Sequence, residues 1–424
     1  MALNKAVGSF NTGTGTGTVA VTGVGFAPKA IIFWWNGRTG SADAAGGADW
    51  QTGIGWCTGT SNEGACYGQS QDAQFDSNTG RAHRTDACVG IMTPGATTDD
   101  GLLSLNSLDS DGFTLDIDNA FSADYEVHYW AIGGADVTNA TTGSFTEHTA
   151  VETKAITGVG FQPDVVLFFS IGVGTAPYNA STNLALSIGA ATGASNQAVL
   201  TVASAEAQAT MATKSYCRAG EVWVNIGGTS TSPSSRAVLN SMDSDGFTLD
   251  FIKRSSTRII FYMAIKGGQY HVGDFATATD TSNFSETGVG FQPEILLFGS
   301  HAAAATTADG ITALNRWSLG AATSASARVS MGAIDDNATS DSETATATSH
   351  DEVYQNFATD DTLQGEMDLV SHDADGMTLV MDDADPSASF VWYLAAASAP
   401  IAPGGLPIPI AAYHYNHHLG SMAS

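Results

Sequence analysis

An all-β chain made of three tandem β-sandwich or jelly-roll-like units is what this sequence predicts, and three observations carry that expectation. The apolar runs are short, rich in Val, Ile, Phe, Trp and Tyr, and bounded by Gly, Asp, Asn and Ser, as strands and turns are. No segment sustains a 3.6-residue apolar stripe with caps, so no helix is expected. One heptad also occurs three times: TGVGFAP at 22–28, then TGVGFQP at 157–163 and at 287–293.

The heptad belongs to a longer pattern that recurs in the same order. Each unit opens on a Phe (Phe10, Phe145, Phe275) and reaches the heptad. An apolar run follows: AIIFWW, VVLFF or ILLF. Its apolar residues are consecutive, which predicts a strand covered on both faces. Next comes a small-residue segment, IGWCTGTS at 54–61, IGAATGAS at 188–195 and LGAATSAS at 319–326. Later stand LNSLDSDGFTLD at 105–116, LNSMDSDGFTLD at 239–250 and LVSHDADGMTLV at 369–380. Each unit closes on an aromatic strand, VHYWAIGG, IIFYMAIKGG or FVWYLAAA. The heptad phenylalanines lie 135 and 130 residues apart, too far for a solenoid repeat and right for whole domains. The units are therefore drawn at 1–135, 136–268 and 269–398, followed by an extended, Pro-rich C-terminal arm at 399–424. Pro favours a pre-extended backbone, so that arm is read as a clamp on a neighbouring subunit. It carries His414, His417 and His418.

The recurring residues are those of chain folding. Gly25, Gly160 and Gly290 permit a bend at positive φ. Phe26, Phe161 and Phe291 anchor that bend, each worth about 1.5–3 kcal/mol when buried. Pro28, Pro163 and Pro293 are expected at the first residue of a strand, where no ladder bond is lost. The DxDG segments read as β-turns with Gly112, Gly246 and Gly376 at positive φ. The same carboxylates (Asp109, Asp111, Asp243, Asp245, Asp373, Asp375) are weak candidates for Ca2+, although an EF-hand needs oxygen ligands where these loops already carry Phe or Met and Thr. A metal clip at His414, His417 and His418 is the lesser reading beside an ordered arm touching a neighbouring subunit, and no cofactor is expected.

Composition narrows the function classes. Fifteen Lys and Arg against 43 Asp and Glu give a net charge of −28, which repels nucleic-acid phosphates and anionic membrane surfaces. The charge is uneven: 5 basic and 14 acidic residues in 1–135, 8 and 9 in 136–268, 2 and 20 in 269–424. The middle unit is therefore expected at an interface, and the third against solvent or a basic partner. No membrane-spanning run and no signal peptide is recognised, so folding in a cytoplasm is expected. Cys57, Cys66, Cys88 and Cys217 form no CxxC pair and read as buried thiols, with a Cys57–Cys66 hairpin bridge as the other option. His128 reads as a packed residue at the core edge. No GxSxG, HExxH or P-loop is present, and the units share no catalytic polar residues, so no enzyme is expected.

The succession TGVGFQP, apolar strand, SDGFTL and aromatic strand resembles a repeat of phage virion proteins from tail and particle-structure gene clusters. Those proteins often read GFQPD, SDGF and YVAW. The likeness spans about 395 of 424 residues. Family members commonly carry a basic, Trp-containing segment after GFQPD; IIFWWNGR at 31–38 comes close, while VVLFFSIG and ILLFGSHA do not. The resemblance implies a virion structural subunit, made in the host cytoplasm and holding to other virion proteins and to copies of itself as a capsid decoration, cement or tail-appendage component. The alternative is a receptor-binding or adhesin module for host glycans, with Trp34, Trp35, Trp50, Trp56, Trp223, Trp317 and Trp392 stacking on sugars.

Overall fold

The computed structural model describes residues 2–148, 150–174, 179–255, 257–359 and 361–400. The expected arm from 401 on lies outside the described residues. Among those described there is no helix, and the strands form three sets of eleven. The first unit holds β1 (Leu3–Asn11), β2 (Gly17–Thr22), β3 (Pro28–Trp35), β4 (Ala44–Gly47), β5 (Trp50–Gly59), β6 (Asn62–Ser70), β7 (Thr79–Arg84), β8 (Val89–Met92), β9 (Asp99–Asp109), β10 (Gly112–Asn119) and β11 (Glu126–Gly134). The second holds β12 (Asn139–Thr146), β13 (Thr153–Thr157), β14 (Val165–Ser170), β15 (Asn179–Thr182), β16 (Leu184–Gly193), β17 (Asn196–Ser204), β18 (Thr213–Ala219), β19 (Trp223–Asn225), β20 (Ser235–Asp243), β21 (Gly246–Lys253) and β22 (Ile259–Lys266). The third holds β23 (Gln269–Ala276), β24 (Phe284–Thr287), β25 (Ile295–Ser300), β26 (Thr312–Ala313), β27 (Asn315–Ser324), β28 (Ala327–Asp335), β29 (Thr344–Ser349), β30 (Tyr354–Phe357), β31 (Leu363–Asp373), β32 (Gly376–Asp383) and β33 (Phe390–Ala397).

Each unit pairs these strands into two antiparallel sheets. In the first unit the larger sheet runs β1-β11-β3-β5-β6-β7 and the smaller β2-β10-β9-β8, and the other two units repeat both orders strand for strand. The larger sheet has a seventh strand, and it comes from another unit. Strand β15 of the second unit adds to β7 of the first, with Asn179 opposite His83 and Thr182 opposite Gly80. Strand β26 of the third adds to β18 of the second. Strand β4 of the first adds to β29 of the third, with Ala44 opposite Thr348 and Gly47 opposite Ala345. The exchange is cyclic, so the three sandwiches close into a ring and are not beads on a string. Each added strand also covers a sheet edge that would otherwise present unpaired backbone groups.

The consecutive apolar runs follow from this geometry. In β14, Val166 and Phe168 pack with Phe247 and Leu249 inside the second sandwich. Their neighbours Val165, Leu167 and Phe169 face a second core, shared with Ile54 and Trp56 of the first unit and Ile295, Leu297 and Trp317 of the third. A strand with a sandwich on one side and the common core on the other has no wet face, which the alternation rule for half-exposed sheets would require.

Three equivalent loops interlock around the centre of the ring. Ala73, Ala207 and Ala338 each take a positive φ (54°, 53° and 64°). Their N–H groups donate to Ser342, Ser77 and Met211 of the neighbouring unit, at 2.7, 2.8 and 2.8 Å. Ser342, Ser77 and Met211 return N–H bonds to the carbonyls of Gln74, Gln208 and Thr339. Six backbone bonds thus tie the loops into one collar, running in the same cyclic sense as the exchanged strands.

Candidate functional site

The heptad and the DxDG turn prove to be two halves of one corner. Asp111 accepts the N–H bonds of Gly23 and Gly25 at 3.1 and 2.8 Å. Asp245 does the same for Gly158 and Gly160, and Asp375 for Gly288 and Gly290. Both glycines of each heptad have φ between 82° and 90°, which aims two alternate amides, on either side of a Val, at one carboxylate. The first Asp of each turn is also engaged: Asp109 accepts from Ser107 and Thr114, Asp243 from Ser241 and Thr248, Asp373 from Ser371 and Thr378, all at 2.6–2.8 Å. These hydroxyl bonds hold the Asp109 and Asp373 carboxyls below their usual range. Gly112, Gly246 and Gly376 serve a close approach: a Cβ there would stand 2.0 Å from the carbonyl oxygen of Val21, Ile156 or Glu286. Gln162 and Gln292 complete the corner by donating to the carbonyls of Met242 and His372.

The details correct several expectations. Pro28 opens β3, whereas Pro163 and Pro293 stand two residues ahead of β14 and β25, although all three are buried. Phe26 and Phe161 are buried, but Phe291 is only partly so. The Ca2+ reading of the DxDG carboxylates gains nothing from a geometry in which they accept protein hydrogen bonds. All eight Trp are fully buried, so Trp34, Trp35, Trp50, Trp56, Trp223, Trp317 and Trp392 present no ring face to a sugar. The four cysteines are buried and free, and Cys57 lies opposite Glu63, not opposite Cys66, in the hairpin.

The three seams differ from one another in composition. At the first–second seam Trp56 stacks on Phe169 with ring centres 4.5 Å apart, and His83 packs on Phe261. Burial pushes the His83 titration down to about 4, leaving it neutral. At the second–third seam Cys217 and Thr306 exchange backbone and hydroxyl bonds, and the Thr306 hydroxyl lies 3.2 Å from His301 Nε2. Burial drives His301 down to about 3.

The third–first seam, the one the chain does not span covalently, is polar. Glu126 and His128 come from β11, Thr348 from the end of β29 and His350 from the residue that follows that strand. His350 Nε2 lies 2.6 Å from Glu126 Oε1, and its Nδ1 2.6 Å from Asp43 Oδ1. His128 Nε2 lies 3.2 Å from the Thr348 hydroxyl and 3.6 Å from Glu126 Oε1. Ser9 approaches His350 Nε2 at 3.2 Å. The side chains of Glu126 and His128 are wholly buried, while that of His350 is 30% exposed. Burial opposes charge on His350, but the Asp43 and Glu126 carboxylates outweigh it and raise its titration. Burial would raise Glu126, yet the two histidines and Thr348 hold it below the usual carboxylate range. Burial lowers His128 despite Glu126. Asn36 and Arg38 brace the same seam by donating to the carbonyls of Gly332, Ala347 and Thr346. A cavity of about 320 Å³ opens beside it, lined by Asp43, Thr348, Glu352, Gln355 and Glu366 among others.

At the centre, three equivalent strand ends meet: Ser70, Ser204 and Asp335. Ser204 donates to Asp335, and Ser70 also bonds it. Asp335 is fully buried, and burial lifts its carboxyl from 3.8 to about 6 against the pull of the two hydroxyls.

Among the described residues two groups have the donor set for a metal: Glu126, His128 and His350, and the acidic group Glu352, Asp368 and Asp382. Sequence reading weighed His128 as a packed residue, which its burial fits, but did not join it to Glu126 and His350, because 222 residues and a ring closure separate them. Comparison with protein-family models and with curated proteins returned no match.

Proposed function

We propose that this chain is a structural subunit of a bacteriophage particle, a capsid decoration or cement protein or a tail-appendage component that acts by protein–protein assembly. The observation that carries this reading is the cyclic exchange of β4, β15 and β26, which builds a trimer-like body out of one chain. A ring held by shared sheets, a common core and a loop collar resists shear and partial unfolding, as a component locked into a particle must. Among the described residues, the repeated glycines and DxDG carboxylates bond to one another and hold the corners together. The strongly acidic third unit supplies a surface for a basic neighbour. The resemblance of the repeat to virion proteins points the same way. The glycan-binding alternative loses its tryptophan platforms to the core.

The test is to locate the chain in purified particles by electron microscopy, using a label fused at its C-terminus. The reading expects a stoichiometric, regularly spaced, three-lobed density on the capsid or tail. A chain made during infection yet missing from purified particles would sink it.

A further inference from the structure

We propose that Glu126, His128 and His350 bind one Zn2+-like transition-metal ion that staples the third unit to the first. The ligand atoms already lie together: Glu126 Oε1 is 2.6 Å from His350 Nε2 and 3.6 Å from His128 Nε2, and all three lie within 4.8 Å of one another. In a tetrahedral site with bonds of about 2.0–2.1 Å, ligand atoms stand about 3.3 Å apart, so small side-chain shifts suffice. Two imidazoles and a carboxylate suit zinc, cobalt or nickel and not calcium or magnesium, which seek oxygen. A hydroxyl (Ser9 or Thr348) or a water takes the fourth position.

Three features separate this group from an ordinary buried ion pair. His350 Nδ1 faces Asp43, the carboxylate–imidazole arrangement that orients a metal-binding histidine and fixes its tautomer. The neighbouring cavity, which Asp43 and Thr348 also line, gives an ion a way in. Finally, the polar set replaces apolar residues. The registers Phe10–Val127, Phe145–Ile260 and Phe275–Val391 put Ile259 and Phe390 where the first unit has Glu126. They put Phe261 and Trp392 where it has His128. Burying a carboxylate and an imidazole where a hydrocarbon would pack costs stability unless something gathers them. The ion would do so at the one seam that no linker holds.

The test uses the full chain with His414→Ala, His417→Ala and His418→Ala, so that the C-terminal histidines do not compete. Zn2+ and Co2+ are titrated by calorimetry and visible absorption. One ion per chain is expected, with the intense d–d bands of a low-coordinate Co2+ site that Zn2+ abolishes, and with no response to Mg2+ or Ca2+. His350→Ala, at a part-exposed position that threatens folding little, should weaken binding by at least about 100-fold. Asp43→Asn, at the surface, should weaken it about 10–100-fold as an orienting partner. Zn2+ should raise the melting temperature of the parent and not that of His350→Ala, because only the closed ring holds all three ligands. Absence of a Co2+ site in the parent overturns the proposal. So does undiminished affinity in His350→Ala.

Discussion

Asp335 offers the most direct probe of the ring's centre. The two equivalent positions carry Ser70 and Ser204, so only the third unit brings an ionisable group to the place where the three units meet. Its carboxyl titrates at about 6 in the folded chain against 3.8 in the unfolded one, and burial is the main cause. Between those values the folded state keeps a proton that the unfolded state has released. The stability contributed by Asp335 is therefore fully present below about pH 4, falls as pH rises to about 6 and then levels off. A difference of that size amounts to about 3 kcal/mol lost at neutral pH. Asp335→Asn keeps the shape and removes the titration. Urea unfolding followed by fluorescence of the buried Trp should show the variant gaining on the parent by up to about 3 kcal/mol between about pH 4 and pH 7.5. Any packing penalty of the amide is the same at every pH, so the change in the difference isolates the carboxyl from other buried acids such as Asp336 and Glu352. A parent–variant difference that does not change with pH would show that Asp335 is not held neutral by burial, and that the units do not close around it as described.

Other perturbations test the corner, the exchange and the seams. Asp245→Ala strips the acceptor from two glycine amides and should cost about 1–2 kcal/mol in urea unfolding, with Asp245→Asn recovering part of it. The same change at Asp111 or Asp375 should cost a similar amount, because the three corners share their geometry. The first unit expressed alone, residues 1–135, keeps β4 without its acceptor and β7 without its added strand; light scattering should find it self-associated, and a stable, soluble monomer would contradict the exchange. Trp56→Ala removes a ring stacked on Phe169 in the shared core and should cost about 3–5 kcal/mol, read as a lower urea midpoint.

The sequence displayed the scaffold more openly than its joints. The heptad and the DxDG turn were visible because each is short and repeated, yet their union was not, since Gly25 and Asp111 lie 86 residues apart and meet only when β2 pairs with β10. The consecutive apolar residues of β3 and β14 announced burial on both faces, but not that the second face belongs to a core common to all units. Small residues at 188–195 recurred without a stated cause; a Cβ on Gly189 would stand 2.0 Å from the Val222 carbonyl oxygen. The exchanged strands left no trace. They are two to four residues long, their sequences (AAGG, NAST, TA) do not repeat, and the Ala, Gly and Asn in them are poor strand formers. The seam cluster was hidden for the same reason, because Asp43, Glu126 and His350 become neighbours only through ring closure. The tryptophans misled in the opposite direction: an aromatic suited to a sugar platform is equally suited to filling a broad core, and here every one does.

The closed exchange has a consequence for evolution as well as for strength. In a homotrimer any substitution appears at all three junctions, so a change that helps one harms or helps every other. Writing the three lobes into a single reading frame frees each junction to drift separately, and they have: one is greasy, one mixed, one charged. The net charge differs too, with the last unit far more acidic than the middle one. A receptor of strict threefold symmetry would therefore meet a plug that fits in three rotations and prefers one of them.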